Sequence, residues 1–346
     1  MASRHPVQAT ALQARHGRLR RAGAVLLVVV AGCSSPVVPE AEPTSQTQPA
    51  TTAESTIGGT PASTTPAGPP TVVQLTDTGA RNGQAVFSPD GTQIAHVSDL
   101  SGEWEAWITA ADGSSTRQAT DGIGPVGWPT WSYDGSWLWL YAPTGDGWGI
   151  FAVDIDDGLP VPLATTVDLV DDEVWTGDLF RPLSDPSGQR ILFDAAVAGT
   201  DHDLYVLDIA AGTTRRATTD PGYDSDARWS PDGTRIAFHS DRGEGGLHTQ
   251  VFVLDLDGGE VTQLTRGDAV NGYPAWSPDG NSIVFTSEAA GNRDVWLMDA
   301  DGSNQRRVTV DAGFDGDPVF TPDGTQVLFT TDRFGGRELA LVTLDD

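Results

Sequence analysis

Lysine is absent from this chain, and cysteine occurs once, at Cys33. A single thiol excludes an intrachain disulfide and any paired-cysteine metal site. Arginine therefore carries all the fixed positive charge, 20 residues against 48 Asp and Glu, for a formal net charge of −28. That balance excludes a nucleic-acid-binding surface, which needs excess positive charge to displace counterions. No GxSxG elbow or HExxH helix motif occurs, which removes the common serine-hydrolase and zinc-protease signatures. The apolar run Ala22–Ala31 is about half the length of a bilayer-spanning helix.

That short run is informative in its context. Arg4, Arg15, Arg18, Arg20 and Arg21 precede it, and Val30-Ala31-Gly32-Cys33 ends it. Basic flank, apolar core and small residues in this order describe a secretory signal peptide rather than a membrane anchor. The closing tetrapeptide resembles the lipobox of bacterial lipoproteins, which implies acylation of Cys33 after cleavage. Residues 1–32 are then the lipoprotein signal peptide, and a diacylated Cys33 would hold the chain stably on a membrane surface. Without the five leader arginines the charge falls from −28 to −33. Residues 33–70 hold the lipidated cysteine and a Ser/Thr/Pro/Ala tract almost free of large apolar side chains. Such a tract cannot bury enough surface to offset its ordering entropy, so it reads as a disordered tether spanning about 30–35 Å.

From residue 71 onward the chain repeats. SPDG stands at 88–91, 230–233 and 277–280, SYDG at 132–135 and TPDG at 321–324, with a degenerate SDPSG at 184–188. The closing glycines step by 44, 53, 45, 47 and 44 residues. A period of about 40–50 residues with strand patterning marks a β-propeller blade. The turn has its own chemistry: proline presets φ, aspartate tolerates the bridge region and glycine closes the turn. The residue before each turn is Phe87, Trp131, Leu183, Trp229, Trp276 or Phe320, a recurrence that argues for packing between neighbouring sheets. Blade five reads as strands over 274–277, 281–287, 295–299 and 305–310. The last repeat ends in a third strand, 338–344, and Thr71–Thr76 stands alone before the first turn. Residues 71–77 are therefore expected to supply the missing outer strand and close the ring. The predicted class is all-β, a six-bladed propeller over 71–346 with its N-terminal strand in the last blade.

The unit xWSPDGxxIxFxSxRxGxxxIxxMDxDG is clearest over 226–333 and includes Ser240-Asp241-Arg242, Thr331-Asp332-Arg333 and Met298-Asp299-Ala300-Asp301-Gly302. It resembles the WD-like repeat of the TolB-type propellers, which also occurs in propellers joined to prolyl-oligopeptidase-type hydrolases. The resemblance covers 71–346 and implies the fold. The resemblance does not extend to the N-terminal α/β domain and partner-binding tail of TolB proper; a Thr/Pro tether and a lipid are expected in their place.

Strand order puts the repeated turns on one face and the variable fourth-to-first loops on the other, around the channel mouth. Four residues before each turn lie Gln84, Trp128, Phe180, Asp226, Tyr273 and Asp317, expected to line the funnel together with Asp172, Asp178, Asp224 and Asp315. Arg81 is almost alone in opposing these carboxylates. An acidic, partly aromatic mouth suits a basic peptide segment or an envelope protein drawn in by the field. It would also suit Ca2+, if any metal, on Asp226 and Asp317. His96 and His239 are expected to pack in second strands, and His202 and His248 to be solvated. Asp201-His202-Asp203 could orient a general base, yet no nucleophile accompanies it, so no catalytic residue is assigned. The expected function is a monomeric, lipid-anchored interaction module on the extracytoplasmic face of a bacterial envelope. A carbohydrate-active enzyme or lyase, and a small-ligand or metal sensor, are the alternatives.

Overall fold

A computed structural model describes residues 70–145, 147–156, 158, 160–164, 178–196, 202–243 and 248–344. The signal peptide, Cys33, the tether up to residue 69 and Asp172 lie outside the described residues. Among the described residues there is no helix; 24 strands form six four-stranded antiparallel sheets.

The first strand, β1 (Val72–Gln74), belongs to the last sheet. Blade 1 comprises β2 (Asn82–Phe87), β3 (Gln93–Ser98), β4 (Glu105–Ala110) and β5 (Thr116–Gln118). Blade 2 comprises β6 (Gly127–Trp131), β7 (Trp137–Thr144), β8 (Gly147–Asp154) and β9 (Pro160–Ala164). Blade 3 holds β10 (Leu179–Ser184), β11 (Arg190–Ala196), β12 (His202–Asp208) and β13 (Thr213–Arg216). Blade 4 holds β14 (Asp224–Trp229), β15 (Arg235–Ser240), β16 (Gln250–Asp255) and β17 (Val261–Gln263). Blade 5 holds β18 (Asn271–Trp276), β19 (Ser282–Ser287), β20 (Asp294–Asp299) and β21 (Arg306–Arg307). Its first strand thus starts earlier, and its fourth is shorter, than the sequence suggested. Blade 6 holds β22 (Asp315–Phe320), β23 (Gln326–Thr331) and β24 (Glu338–Thr343), with β1 as its outer strand.

The ring closes as expected. Val72 pairs with Val342, Val73 with Leu341 and Gln74 with Ala340. The closure is reinforced by a buried bond that recurs around the ring. Thr76 Oγ1 donates to Glu338 Oε2 at 2.5 Å and accepts from Leu339 N at 2.9 Å. Thr120 makes the same pair of bonds with Glu105 and Ala106 in blade 1, at 2.5 and 2.9 Å. The seam is therefore built like an ordinary blade.

The repeated turn is a hydrogen-bonded unit. Ser88 Oγ donates to Asp90 Oδ1 at 2.6 Å and accepts from Gln93 N at 3.0 Å, while Gly91 N donates to Ser88 O at 2.9 Å. Ser230, Ser277 and Thr321 repeat it with Asp232, Asp279 and Asp323. The Ser230 hydroxyl, foremost among several donors, holds the Asp232 carboxyl down to about 2. In blade 3 the roles are exchanged: Asp185 accepts from Gln189 N and Arg190 N, and Ser187 Oγ donates to Asp185 at 2.6 Å. The turn is Asp185-Pro186-Ser187-Gly188, so the register inferred from Ser184 is one residue out.

That correction moves the blade-3 member of the aromatic row from Leu183 to Ser184. A compensating tryptophan fills the space. Trp139 stands in β7 where other blades carry Ala95, Leu192, Ala237, Val284 and Leu328. It is buried, and its indole Nε1 donates to Ser184 Oγ at 2.8 Å. Elsewhere the row does lock blades together, with Trp131 Nε1 donating to Val86 O and Trp229 Nε1 to Leu183 O, both at 3.2 Å.

The turns also touch one another around the ring. A Cβ on Gly91 would lie 3.0 Å from Pro322, and one on Gly324 3.5 Å from Pro278. Tyr133 plays the proline's part against Gly188, at 2.8 Å. These glycines have φ between +69° and +74°, so both backbone conformation and close approach require them.

Candidate functional site: the channel mouth

Each first strand carries a β-bulge at one position, between Gly83 and Val86 in blade 1 and at the equivalent place in the other five. The first residue of each bulge has a left-handed backbone: Gln84 (φ 55°), Trp128 (45°), Arg181 (51°), Asp226 (50°), Tyr273 (53°) and Asp317 (53°). Non-glycine residues adopt this region at a cost of about 1–3 kcal/mol, and such strain concentrates at functional sites. Bulges re-aim side chains, and here they aim them inward. Gln84, Trp128, Asp226, Tyr273 and Asp317 line an axial cavity of about 10 Å3, room for roughly one water. The channel is thus pinched shut at this ring, and a large ligand would bind above it.

Five of the six predicted funnel residues hold their place. The sixth is Arg181 rather than Phe180, because of the blade-3 register. This arginine is the electrostatic centre of the mouth. Its guanidinium reaches Asp194 at 2.7 Å, Asp226 at 2.8 Å and Ser225 Oγ at 2.6 Å, and it lies 4.5 Å from the Trp128 ring centre. Burial alone would lower its pKa; Asp194 and then Asp226 reverse that and hold it well above the usual range.

The carboxylates assigned to an acidic mouth are mostly neutralised. Asp224 and Asp315 are fully buried and belong to the blade interior, paired with Arg242 and Arg333. Their place at the mouth is corrected accordingly: these are the arginines of the repeated Ser-Asp-Arg and Thr-Asp-Arg tripeptides, acting as struts. Asp178 accepts from Trp148 N at 2.9 Å. Arg181 takes up Asp226, which also lies 3.3 Å from His239. Arg228 also lines the pinch. Arg81 therefore does not stand alone. Asp317 is the exception, since its carboxyl has no hydrogen bond or ion pair among the described residues. Burial, and then the neighbouring Asp226, push that carboxyl up to about 6. Among the described residues no three His, Cys, Asp or Glu side chains converge. A calcium ion on Asp226 and Asp317 would have to draw its remaining oxygen ligands from carbonyl groups and water.

Aromatic rings, more than charge, define the walls. Phe180 occupies the position held elsewhere by Gly83, Gly127, Ser225, Gly272 and Gly316, one before the bulge. From it a continuous series runs across blades 2 to 5. Trp128 stacks on Tyr141 at 6.3 Å, Tyr141 meets Phe180 edge-on at 5.2 Å, and Phe180 stacks on His202 at 5.5 Å. His202 then meets Tyr223 at 4.5 Å, Tyr223 stacks on His239 at 6.3 Å, and His239 meets Tyr273 at 5.7 Å. His202 is thus part of the wall rather than a solvated loop residue, and His239 faces the mouth rather than only packing. Asp203 pairs with Arg216 at 2.5 Å, so it does not orient His202. Tyr223 and Tyr141 carried no sequence signal, because neither falls on the repeat.

With this geometry in view, relatives become informative. The family described as the TolB beta propeller domain matches residues 173–272 and 249–345. The chain belongs to the TolB β-propeller family. A protein TolB homolog of Chlorobium chlorochromatii is 29% identical over 152 residues, covering 44% of this chain and 32% of its own. The chain thus spans about a third of that relative's length. A solved structure attributed to TolB of Agrobacterium tumefaciens is 27% identical with a TM-score of 0.53, covering 63% of this chain and 73% of the other. A gluconolactonase from Xanthomonas campestris reaches a TM-score of 0.60 at 16% identity, over 79% of this chain and 89% of its own. At that identity the likeness shows the fold alone.

Proposed function

We propose that this chain is an envelope interaction module that captures a polypeptide segment of a partner protein in the aromatic mouth of its propeller. The observation that carries this reading is the series of rings that begins at Trp128 and ends at Tyr273, both at the pinch of the channel. Rigid aromatic side chains give large contact area at low entropic cost and anchor protein interfaces. Membership of the TolB propeller family supports the same class of role and an envelope location. The reading departs from a purely acidic mouth: Arg181 and Arg228 offset the carboxylates, so recognition rests on the rings, with Asp317 a carboxyl that makes no hydrogen bond or ion pair among the described residues. It requires no cation and no catalytic step. The leader and Cys33 would tether the propeller, as a monomer, to the outer surface of the membrane.

An enzymatic reading is less well supported. Glycoside-cleaving chemistry generally uses two carboxyl groups in complementary roles. Asp194 and Asp226 are held by Arg181, which leaves Asp317 without a second.

The test is capture from detergent-solubilised envelopes with the tagged full chain, with and without calcium. Phe180→Ala and Tyr223→Ala should lose the partner, while Tyr133→Ala on the opposite face retains it. Equal recovery by all four proteins would refute the assignment of the mouth. Radiolabelled palmitate incorporation that persists in Cys33→Ser would refute the anchor.

A further inference from the structure

Beside the pinched channel, between blades 1, 2 and 6, lies a cavity of about 310 Å3. Its lining includes Trp104, Tyr141 and Trp148 together with Gln84, Asp317 and Arg337. We propose that it is a binding site for a neutral saccharide, adjoining at Tyr141 the aromatic groove that continues over blades 3 to 5.

The rings are built into place. Tyr141 presses on Gly127, where a Cβ would sit 2.4 Å from the phenol, so only glycine admits it. Trp148 meets Tyr141 edge-on at 5.3 Å, and its backbone N–H is fixed by Asp178. The Arg81 guanidinium lies 5.0 Å from the centre of the Trp104 ring and, paired with Asp99 at 2.7 Å, holds that indole in position.

The polar groups are available for a ligand. Gln84 spends its Oε1 on Trp128 N at 2.7 Å, and its amide NH2 donates to no described residue. Arg337 is exposed and makes no ion pair among the described residues; it is held 4.4 Å over the Phe314 ring. Asp317 supplies an acceptor without a partner. Two donors and one acceptor therefore share a cavity with three aromatic rings.

A pyranose matches this set. Its C–H faces stack on indole and phenol rings, and its hydroxyls both donate and accept in pairs. The volume is at the lower end for small-molecule pockets and suits one or two sugar rings. The charges argue against other classes. A cation would face Arg337, an anion would face Asp317, and an aliphatic ligand would desolvate both without returning hydrogen bonds.

The experiment is saturation-transfer NMR and calorimetry on the full chain. The probes are glucose, galactose, mannose, N-acetylglucosamine, maltose and cellobiose, with glycine, leucine and glycyl-leucine as comparison ligands. At least one saccharide should bind in the millimolar range or tighter, quench tryptophan fluorescence, and lose at least ten-fold in affinity in Trp104→Ala and Arg337→Gln. Arg337→Gln changes an exposed side chain and keeps the fold, so it decides the matter if Trp104→Ala does not fold. Tyr223→Ala, whose ring meets His202 and His239 and none of the rings of this cavity, should bind the saccharide as wild type does, which separates this site from the polypeptide groove. Absence of any saccharide signal, binding unchanged by Arg337→Gln, or preference for the amino acids or the dipeptide would each overturn the proposal.

Discussion

Replacing Asp317 by asparagine should stabilise the protein at neutral pH and leave it unchanged in acid. The Asp317 carboxyl sits at a strained bulge, lacks a hydrogen-bonding partner and lies near Asp226; burial and that charge raise it from 3.8 to about 6. An acid whose folded pKa is raised binds more protons when folded, so stability falls as pH rises between the two values. The loss begins near pH 3.8 and is complete above about pH 6. At about 1.36 kcal/mol per pKa unit, full desolvation would cost about 3 kcal/mol. Asp317 is partly solvent-accessible, so the expected gain in Asp317→Asn is about 1–3 kcal/mol at pH 7.5, some 2–4 °C in Tm for each kcal/mol in a domain of this size. The wild-type curve alone would mislead. Burial lowers His96 to about 4, so its contribution is present above pH 6.5 and lost as pH falls toward 4, the opposite slope in nearly the same window. The assay is therefore urea unfolding of both proteins from pH 4 to pH 8, read as the difference. A mutant no more stable than wild type at pH 8, or a difference equal at pH 4 and pH 8, would refute the reasoning.

Three further outcomes follow from the packing. Thr76→Val removes the hydroxyl shared by buried Glu338 and Leu339 N and should cost about 1–3 kcal/mol, matching Thr120→Val in blade 1; a much smaller loss at Thr76 would show the seam to be weaker than the other blades. Arg181→Met leaves Asp194 and Asp226 buried without their cation and should cost about 3–5 kcal/mol in chemical denaturation, part of it recovered by adding Asp194→Asn. Gly91→Ala meets Pro322 at 3.0 Å whereas Gly79→Ala at a similar φ meets nothing within 4 Å, so calorimetry should find the first more costly by about 1 kcal/mol.

Much of the architecture is legible in the sequence because its causes are local. Ser, Asp and Gly within one tetrapeptide satisfy one another, so the turn announces itself at every repeat, and the unpaired strand at 72–74 follows from counting. The same locality explains the error in blade 3. Asp185 and Ser187 exchange roles without changing the turn, so a pattern search anchored on Ser184 slips by one residue and puts Phe180 where Arg181 belongs. A row of bulges at a fixed distance from the turn would have revealed it, had the blade-3 turn been read from Asp185.

The mouth itself was decided by tertiary structure. Acidic residues counted along the chain suggest a negative funnel, yet Asp194, Asp226 and Ser225 meet Arg181 only because blades 3 and 4 stand side by side. The aromatic series likewise joins residues from four blades. Period, turn chemistry and closure were thus determined by the sequence itself, since each rests on contacts within a blade or on strand number. Which charges are cancelled, which rings are stacked and which carboxyl is left free were determined by the curvature of the ring, which brings together side chains that no sequence window contains.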